Sequence, residues 1–153
     1  MKKIKAKLLF TIIVISISFQ LIWVSCDFAP GSYPYAEHYE LNVSEEILIK
    51  SIQNFKIKYP QYNVPERVQL VDGRHREGYW YHFYFYYPIE GQIISTWLRL
   101  ESKNKTTFAL VSVGDGLILG NWKEINKDFS GSENKLQKKK FEERILYEVK
   151  KSL

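Results

Sequence analysis

The sequence predicts an α+β domain in which an antiparallel sheet of four to five strands, arranged as a meander, carries an N-terminal and a C-terminal helix on one face. Three observations lead to this prediction. Aromatic residues make up 16% of the chain, with 11 Tyr, 9 Phe and 4 Trp, and aromatic residues favour strands. Two segments show the helical spacing of apolar residues. Between them lie strand-like segments joined by connections of hairpin length.

The first helix is predicted to begin at Ser44. Serine is a preferred N-cap, and the acidic side chains of Glu45 and Glu46 suit the positive end of a helix dipole. Its apolar stripe consists of Ile47, Leu48, Ile52, Phe55 and Tyr59. Pro60 then ends the helix, because proline cannot continue the helical hydrogen bonds.

The strands are predicted at residues 68–70, 79–87, 93–101 and 106–113, with a further short strand at 117–119. The clearest is 79–87, YWYHFYFYY, which is strongly aromatic and is followed by Pro88. The last helix is predicted from Ser132. Its stripe consists of Phe141, Ile145 and Val149 at four-residue spacing, with Leu136 and Leu153 near the same side.

The hairpin lengths predict which side chains share a face of the sheet. With Tyr87 opposite Gln92 and Ser102 opposite Lys105, one face is continuously apolar and suits both helices. The other face, here called the aromatic face, collects Trp80, His82, Tyr84, Tyr86, Ile93, Ser95, Trp97, Arg99, Phe108, Leu110 and Ser112. Rigid rings with polar tips are typical of contact surfaces, so the candidate partner-binding residues are Trp80, His82, Tyr84, Tyr86, Trp97 and Arg99. The alternative is that the chain itself covers this face.

The first 25 residues have the organisation of a lipoprotein-type signal peptide. Four lysines, at positions 2, 3, 5 and 7, precede an apolar stretch of about 17 residues that ends shortly before Cys26. Ser25-Cys26 resembles the end of a bacterial lipobox, whose cysteine receives diacylglycerol and becomes the new N-terminus. The alternative is a retained anchor, because the stretch is near the lower limit for spanning a bilayer. Both interpretations put the folded part outside the cytoplasm at a membrane.

Three segments follow from this interpretation: a signal peptide at 1–25, a lipidated spacer rich in Pro, Gly and Tyr at 26–41, and one α+β domain at 42–153. The tyrosines of the spacer, Tyr33, Tyr35 and Tyr39, leave open that part of it packs onto the sheet. The net charge of +5 includes the four lysines of the signal peptide. Without them the charge is about +1, which argues against nucleic acid as a partner.

Motifs for catalysis or metal binding are not found in the sequence. The histidines, His38, His75 and His82, are not spaced as zinc ligands, and we expect no cofactor. Asp72, His75 and Glu77 share a polar loop in which they could act as acid and base. A solvated turn is the simpler explanation of that loop.

Four segments carry a resemblance to known proteins: residues 26–37, 82–88, 103–112 and 119–127. They resemble small uncharacterised lipoproteins of Bacteroidetes, over most of the mature chain. The resemblance implies a lipid-anchored protein of a Gram-negative envelope, and it implies no activity.

Three functions remain open from the sequence. The first is an envelope lipoprotein, tethered to the inner or outer membrane at Cys26, that binds a protein or glycan partner without catalysis; one version is an immunity or inhibitor protein. The second is an envelope hydrolase that uses His82 or the loop with Asp72, His75 and Glu77. The third is a structural scaffold without a ligand.

Overall fold

The computed structural model describes residues 33–74 and 78–153, and the fold below is that of the unit Tyr35–Leu153. Six strands form the described sheet, at Glu37–Leu41 (β1), Gly73–Arg74 (β2), Tyr81–Tyr87 (β3), Gln92–Ser102 (β4), Lys105–Asp115 (β5) and Trp122–Glu124 (β6). All neighbours are antiparallel, in the order β1-β5-β4-β3-β2, and β6 pairs with β5 beyond the end of β1. The α+β class with an antiparallel sheet is confirmed.

The helices lie at the two ends of this unit, as the sequence predicts. They are Glu45–Lys58 (α1), Gly131–Phe141 (α2) and Tyr147–Lys151 (α3), and a π-helical turn at Glu142–Leu146 joins α2 to α3. Ser44 caps α1 by accepting a hydrogen bond from the Ile47 N–H at 3.4 Å. Ser130 and Glu133 form a reciprocal capping box that begins α2, two residues before the predicted start.

Both helical segments pack on the same face of the sheet. From the helices the shared core takes Leu48, Ile52, Phe55, Phe141, Ile145, Leu146 and Val149. From the strands it takes Leu41, Phe83, Phe85, Tyr87, Ile94, Leu98, Phe108, Leu110 and Val113. Ile47 and Leu136, which the sequence places on the apolar stripes, are instead exposed.

The register of the first hairpin is the predicted one. Tyr87 pairs with Gln92, and the pairing continues residue by residue to Tyr81 with Leu98. The predicted pair of Tyr79 with Leu100 does not extend it, because both side chains are exposed and β3 begins at Tyr81.

The second hairpin departs from the prediction between two bulges. Ser102 pairs with Lys105 and Ile94 with Val113 as expected, but Leu98 pairs with Phe108 rather than with Ala109. The register shifts between Leu100 and Ser102 and shifts back between Ser95 and Thr96. Since a one-residue shift exchanges the faces of a strand, the predicted faces were wrong in this stretch. The core contains Phe108 and Leu110, whereas Ala109 and Val111 lie outside it.

Two short predicted strands were also wrong. Residues 66–68 form a 3-10 turn that ends at Gln69, whose φ is 60°, so 68–70 is not extended. Residues 117–119 lie in a loop, and the strand comes later, at β6. Gly114 fits this strand, since an added Cβ would lie 3.2 Å from the ring of Trp122.

Part of the predicted spacer 26–41 belongs to the folded unit. Residues 37–41 form β1, and the ring of Tyr39 lies 5.6 Å from that of Phe141. The Asn126 side-chain amide donates to the Tyr35 carbonyl oxygen at 3.0 Å and to the Glu37 carboxylate at 2.9 Å. These contacts fix the chain from Tyr35 onward.

Because the shifted register places Phe108 in the core, truncation of its side chain is expected to destabilise the fold. Its ring is buried and meets that of Phe141 edge to face at 5.2 Å. We expect Phe108→Ala to lower the free energy of unfolding by about 3–5 kcal/mol, because a cavity forms in the core. Urea unfolding followed by circular dichroism measures this, with exposed Leu136→Ala as the control. A loss no larger than that of the control would contradict the observed register.

Candidate functional site

The aromatic face is the side of the sheet opposite the described helices. His82 pairs with Trp97 across β3 and β4, as predicted. Ring contacts connect this pair to its neighbours: Trp97 lies 5.3 Å from His38 and 6.2 Å from Trp80, and His82 stacks with Tyr84 at 6.4 Å. The structure therefore brings most of the sequence-predicted residues together in one aromatic cluster.

Burial divides this cluster into a centre and a rim. Trp97 is 3% exposed and His82 is 7% exposed, so the two central rings offer little area to a partner. Trp80, Tyr84 and Tyr86 are half-buried. These three side chains, together with exposed Arg99, are the part of the predicted site that lies at the surface.

Arg99 is held in place by its neighbours. Its Nε and Nη2 atoms donate to Glu101 Oε1 at 3.0 and 2.8 Å, and the Thr107 hydroxyl donates to the same oxygen at 2.9 Å. Its guanidinium carbon lies 5.9 Å from the Trp97 ring centre. Extension of the predicted register from Tyr87 and Gln92 places Arg99 opposite Trp80, whereas its cation–π contact in the structure is with Trp97. A guanidinium fixed in this way loses less entropy when it binds a partner.

Asp72 has a structural partner for each of its carboxylate oxygens. Oδ1 accepts a hydrogen bond from the Tyr84 N–H at 2.9 Å, and Oδ2 forms an ion pair with Lys56. Lys56 Nζ in turn donates to the Tyr84 carbonyl oxygen at 2.9 Å. In the described residues β2 pairs with Tyr81 and His82, and the side chains of Asp72 and Lys56 bond the β3 backbone farther along, at Tyr84.

The residues of the hydrolase alternative are not brought together in the described parts of the chain. His75 and Glu77 lie outside the described residues. Asp72 is engaged as above, and His82 is on the other face of the sheet from α1. Within 33–74 and 78–153, no group of three His, Cys, Asp or Glu side chains is arranged to hold a metal ion.

A surface cavity of about 300 Å³ lies on the helical side and was not foreseen from the sequence. Its lining residues are Tyr59, Gln61, Tyr62, Glu143, Arg144 and Glu148. The Tyr59 hydroxyl donates to Glu148 Oε2 at 2.8 Å, and the Arg144 guanidinium carbon lies 4.9 Å from the Tyr87 ring centre. The lining comes from the residues that follow α1, the π-helical turn and α3, and no sequence motif connects these segments.

None of the helices in residues 33–74 and 78–153 has the length and apolar character needed to span a bilayer. No family model, curated protein or solved structure matches this chain.

The position of Asp72 predicts a stabilising role. We expect Asp72→Ala to lower the free energy of unfolding by about 1–3 kcal/mol, because the Tyr84 N–H and the Lys56 ammonium lose a part-buried acceptor. Asp72→Asn should cost less, since its amide oxygen can still accept from Tyr84. Urea unfolding measures both, with exposed Asp115→Ala as the control. Unchanged stability of Asp72→Ala would favour a chemical role for this carboxylate instead.

Proposed function

We propose that this protein is a lipoprotein of the bacterial envelope, tethered at Cys26, whose domain binds a protein or glycan partner through the rim of the aromatic face. The observation that carries the proposal is the two-sided sheet. Its described helices cover one side, and an aromatic cluster with a fixed arginine lies on the other. The proposal has two parts, the tether and the binding face, and each has its own support.

The tether is supported by the order of signals in the sequence. A basic segment, an apolar stretch and Ser25-Cys26 follow one another, and Cys26 is the single cysteine of the chain. The folded unit is fixed from Tyr35 onward, so a short segment separates the cysteine from the domain. The resemblance to small lipoproteins of Bacteroidetes supports the same location.

The binding face is supported by the chemistry of its rim. Tyr84 and Tyr86 offer rigid aromatic rings with hydroxyl groups, and half-buried Trp80 adds ring area, which both protein and glycan partners use. Arg99 adds guanidinium N–H donors whose position is set in advance by the ion pair with Glu101 and the contact with Trp97. An immunity or inhibitor protein is one version of this function.

Binding is better supported than hydrolysis. A general acid or base has to reach its substrate, whereas His82 is buried among rings and Asp72 is bonded to Lys56 and the β3 backbone. The remaining two residues of the hydrolase alternative, His75 and Glu77, lie outside the described residues. The contacts that are described therefore favour a structural role for Asp72.

Replacement of the cysteine tests the tether. We expect Cys26→Ser to abolish incorporation of fatty acid, because a hydroxyl does not form the thioether that links diacylglycerol to the chain. Metabolic labelling with an alkyne fatty acid, followed by mass analysis of the N-terminal peptide, measures this. Ser25→Ala, which keeps a small residue before the cysteine, is the control and should still be labelled. A labelled, membrane-bound Cys26→Ser protein would contradict the proposal.

Paired variants test the binding face. Purified protein is used to capture partners from envelope extracts, and we expect Tyr86→Ala/Arg99→Ala to lose a partner that the wild type recovers. The matched control is Tyr147→Ala/Lys151→Ala, which removes the same two kinds of side chain from exposed positions on α3. Equal recovery by all three proteins would contradict binding through the rim.

Digestion of the extract distinguishes the two partner classes. A protein partner disappears when the extract is treated with protease before capture, whereas a glycan partner survives protease and is removed by glycosidases. Urea midpoints of the variants show whether a lost partner reflects a damaged fold. Only a variant with an unchanged midpoint counts toward the binding face.

A further inference from the structure

Two loops lie side by side at one end of the sheet. One is the β3–β4 turn, residues 88–91, and the other follows β5 at residues 116–121. The Gly116 N–H donates to the Gly91 carbonyl oxygen at 2.9 Å, and Gln92 pairs with Asp115 directly beneath them. The two loops therefore form one continuous tip.

This tip exposes large apolar side chains. Ile89 is 90% exposed, Ile118 is 80% exposed and Leu119 is 49% exposed. Single exposed apolar residues are common on proteins, but a group on adjoining loops indicates a contact surface. Residues 116–121 also contain no charged side chain, which lowers the cost of moving this loop out of water.

The one acidic side chain in the other loop is drawn back toward the helices. Glu90 accepts from Arg144 Nη1 and Nη2 at 3.0 and 2.9 Å and lies 3.0 Å from Lys140 Nζ. These hydrogen bonds, with Arg144 the stronger partner, lower the pKa of Glu90 to about 2. The carboxylate is thus neutralised by ion pairs at the helical side, and Ile89 is the large apolar side chain that this turn exposes.

The folded unit enters the sheet beside the middle of β5, within a few residues of this tip. Glu37 pairs with Leu110, and β1 runs away from the Asp115 end of β5. From Leu110 to Asp115 the strand rises by about 17 Å, at about 3.4 Å per residue. The nine residues 26–34 can span at most about 30 Å when extended. A lipid on Cys26 and the tip can therefore reach the same membrane surface.

We infer that Ile89, Ile118 and Leu119 form a membrane-docking tip that enters the interfacial layer of the bilayer to which Cys26 is attached. The inference rests on the proposed lipid tether. A tether keeps the tip at a high effective concentration near the bilayer and makes docking an intramolecular event. Three apolar side chains then suffice for docking, although they would not hold an untethered protein at the membrane. The tip defines which end of the domain faces the lipid.

Site-specific fluorescence tests the docking. The acylated mature protein is reconstituted into vesicles of phosphatidylethanolamine and phosphatidylglycerol, with or without brominated acyl chains. An environment-sensitive thiol dye is attached at Leu119→Cys, since the acylated Cys26 sulfur does not react. The matched control is Leu100→Cys, a leucine of 50% exposure at the opposite end of β4. A parallel label at Ile118→Cys guards against a local defect at one position.

We expect the label at position 119 to shift its emission to shorter wavelength and to lose intensity with brominated lipid, whereas the label at position 100 does neither. Ile89→Ser/Ile118→Ser should remove the quenching at position 119. Acylated protein whose tip labels behave like the label at position 100 would overturn the docking and leave the tether standing. Absence of acyl chains on Cys26 in wild-type protein would overturn the tether and the docking together.

Discussion

The structure depends on the burial of one side of the sheet beneath helices from both ends of the folded unit. Edge-to-face contacts join the two layers, with Phe108 against Phe141 and Phe55 against Phe85. Without a disulfide in the fold, this packing has to supply most of the stability. The two bulges of the β4–β5 hairpin make this packing possible, because they turn Phe108 and Leu110 toward the helices. A regular hairpin would place both side chains on the other face.

The parts of the fold that were predictable are those fixed by local chemistry. Ser44 identifies a helix start because its hydroxyl can cap the backbone, and the short turn before Gln92 fixes the register of its hairpin. The bulges were not predictable, since a regular ladder also gives a chemically reasonable pattern for β5. The strand at Trp122 was missed for a related reason. Its place depends on the absence of a side chain at Gly114, which lies on a different strand.

In the candidate site as well, the positions of residues along the strands were predictable from the sequence, whereas their burial was not. The sequence predicted that His82 and Trp97 face each other, because strand register determines which residues are opposite. It did not predict that both rings are buried, since burial depends on everything that packs around them. The role of Asp72 was also hidden. A carboxylate in a polar loop resembles a catalytic residue, and only its contacts with Lys56 and the Tyr84 N–H indicate that it completes the edge of the sheet.

The two proposals together define an orientation for the domain. The tip lies at the end of the strands where Gln92 and Asp115 pair, and Arg99 pairs with Thr107 toward the other end of the same hairpin. If the tip contacts the lipid, the strands run away from the membrane, and the aromatic face points along the membrane plane rather than toward the lipid. Tyr86, opposite Ile93, is then nearer the bilayer, and Arg99 is farther from it. From Gln92 to Arg99 the strand rises by about 24 Å, at about 3.4 Å per residue, so the rim offers contacts along this height of the sheet. The proposed tether and the proposed binding face are therefore compatible, because the strands that hold the rim residues would also place Arg99 away from the lipid head groups.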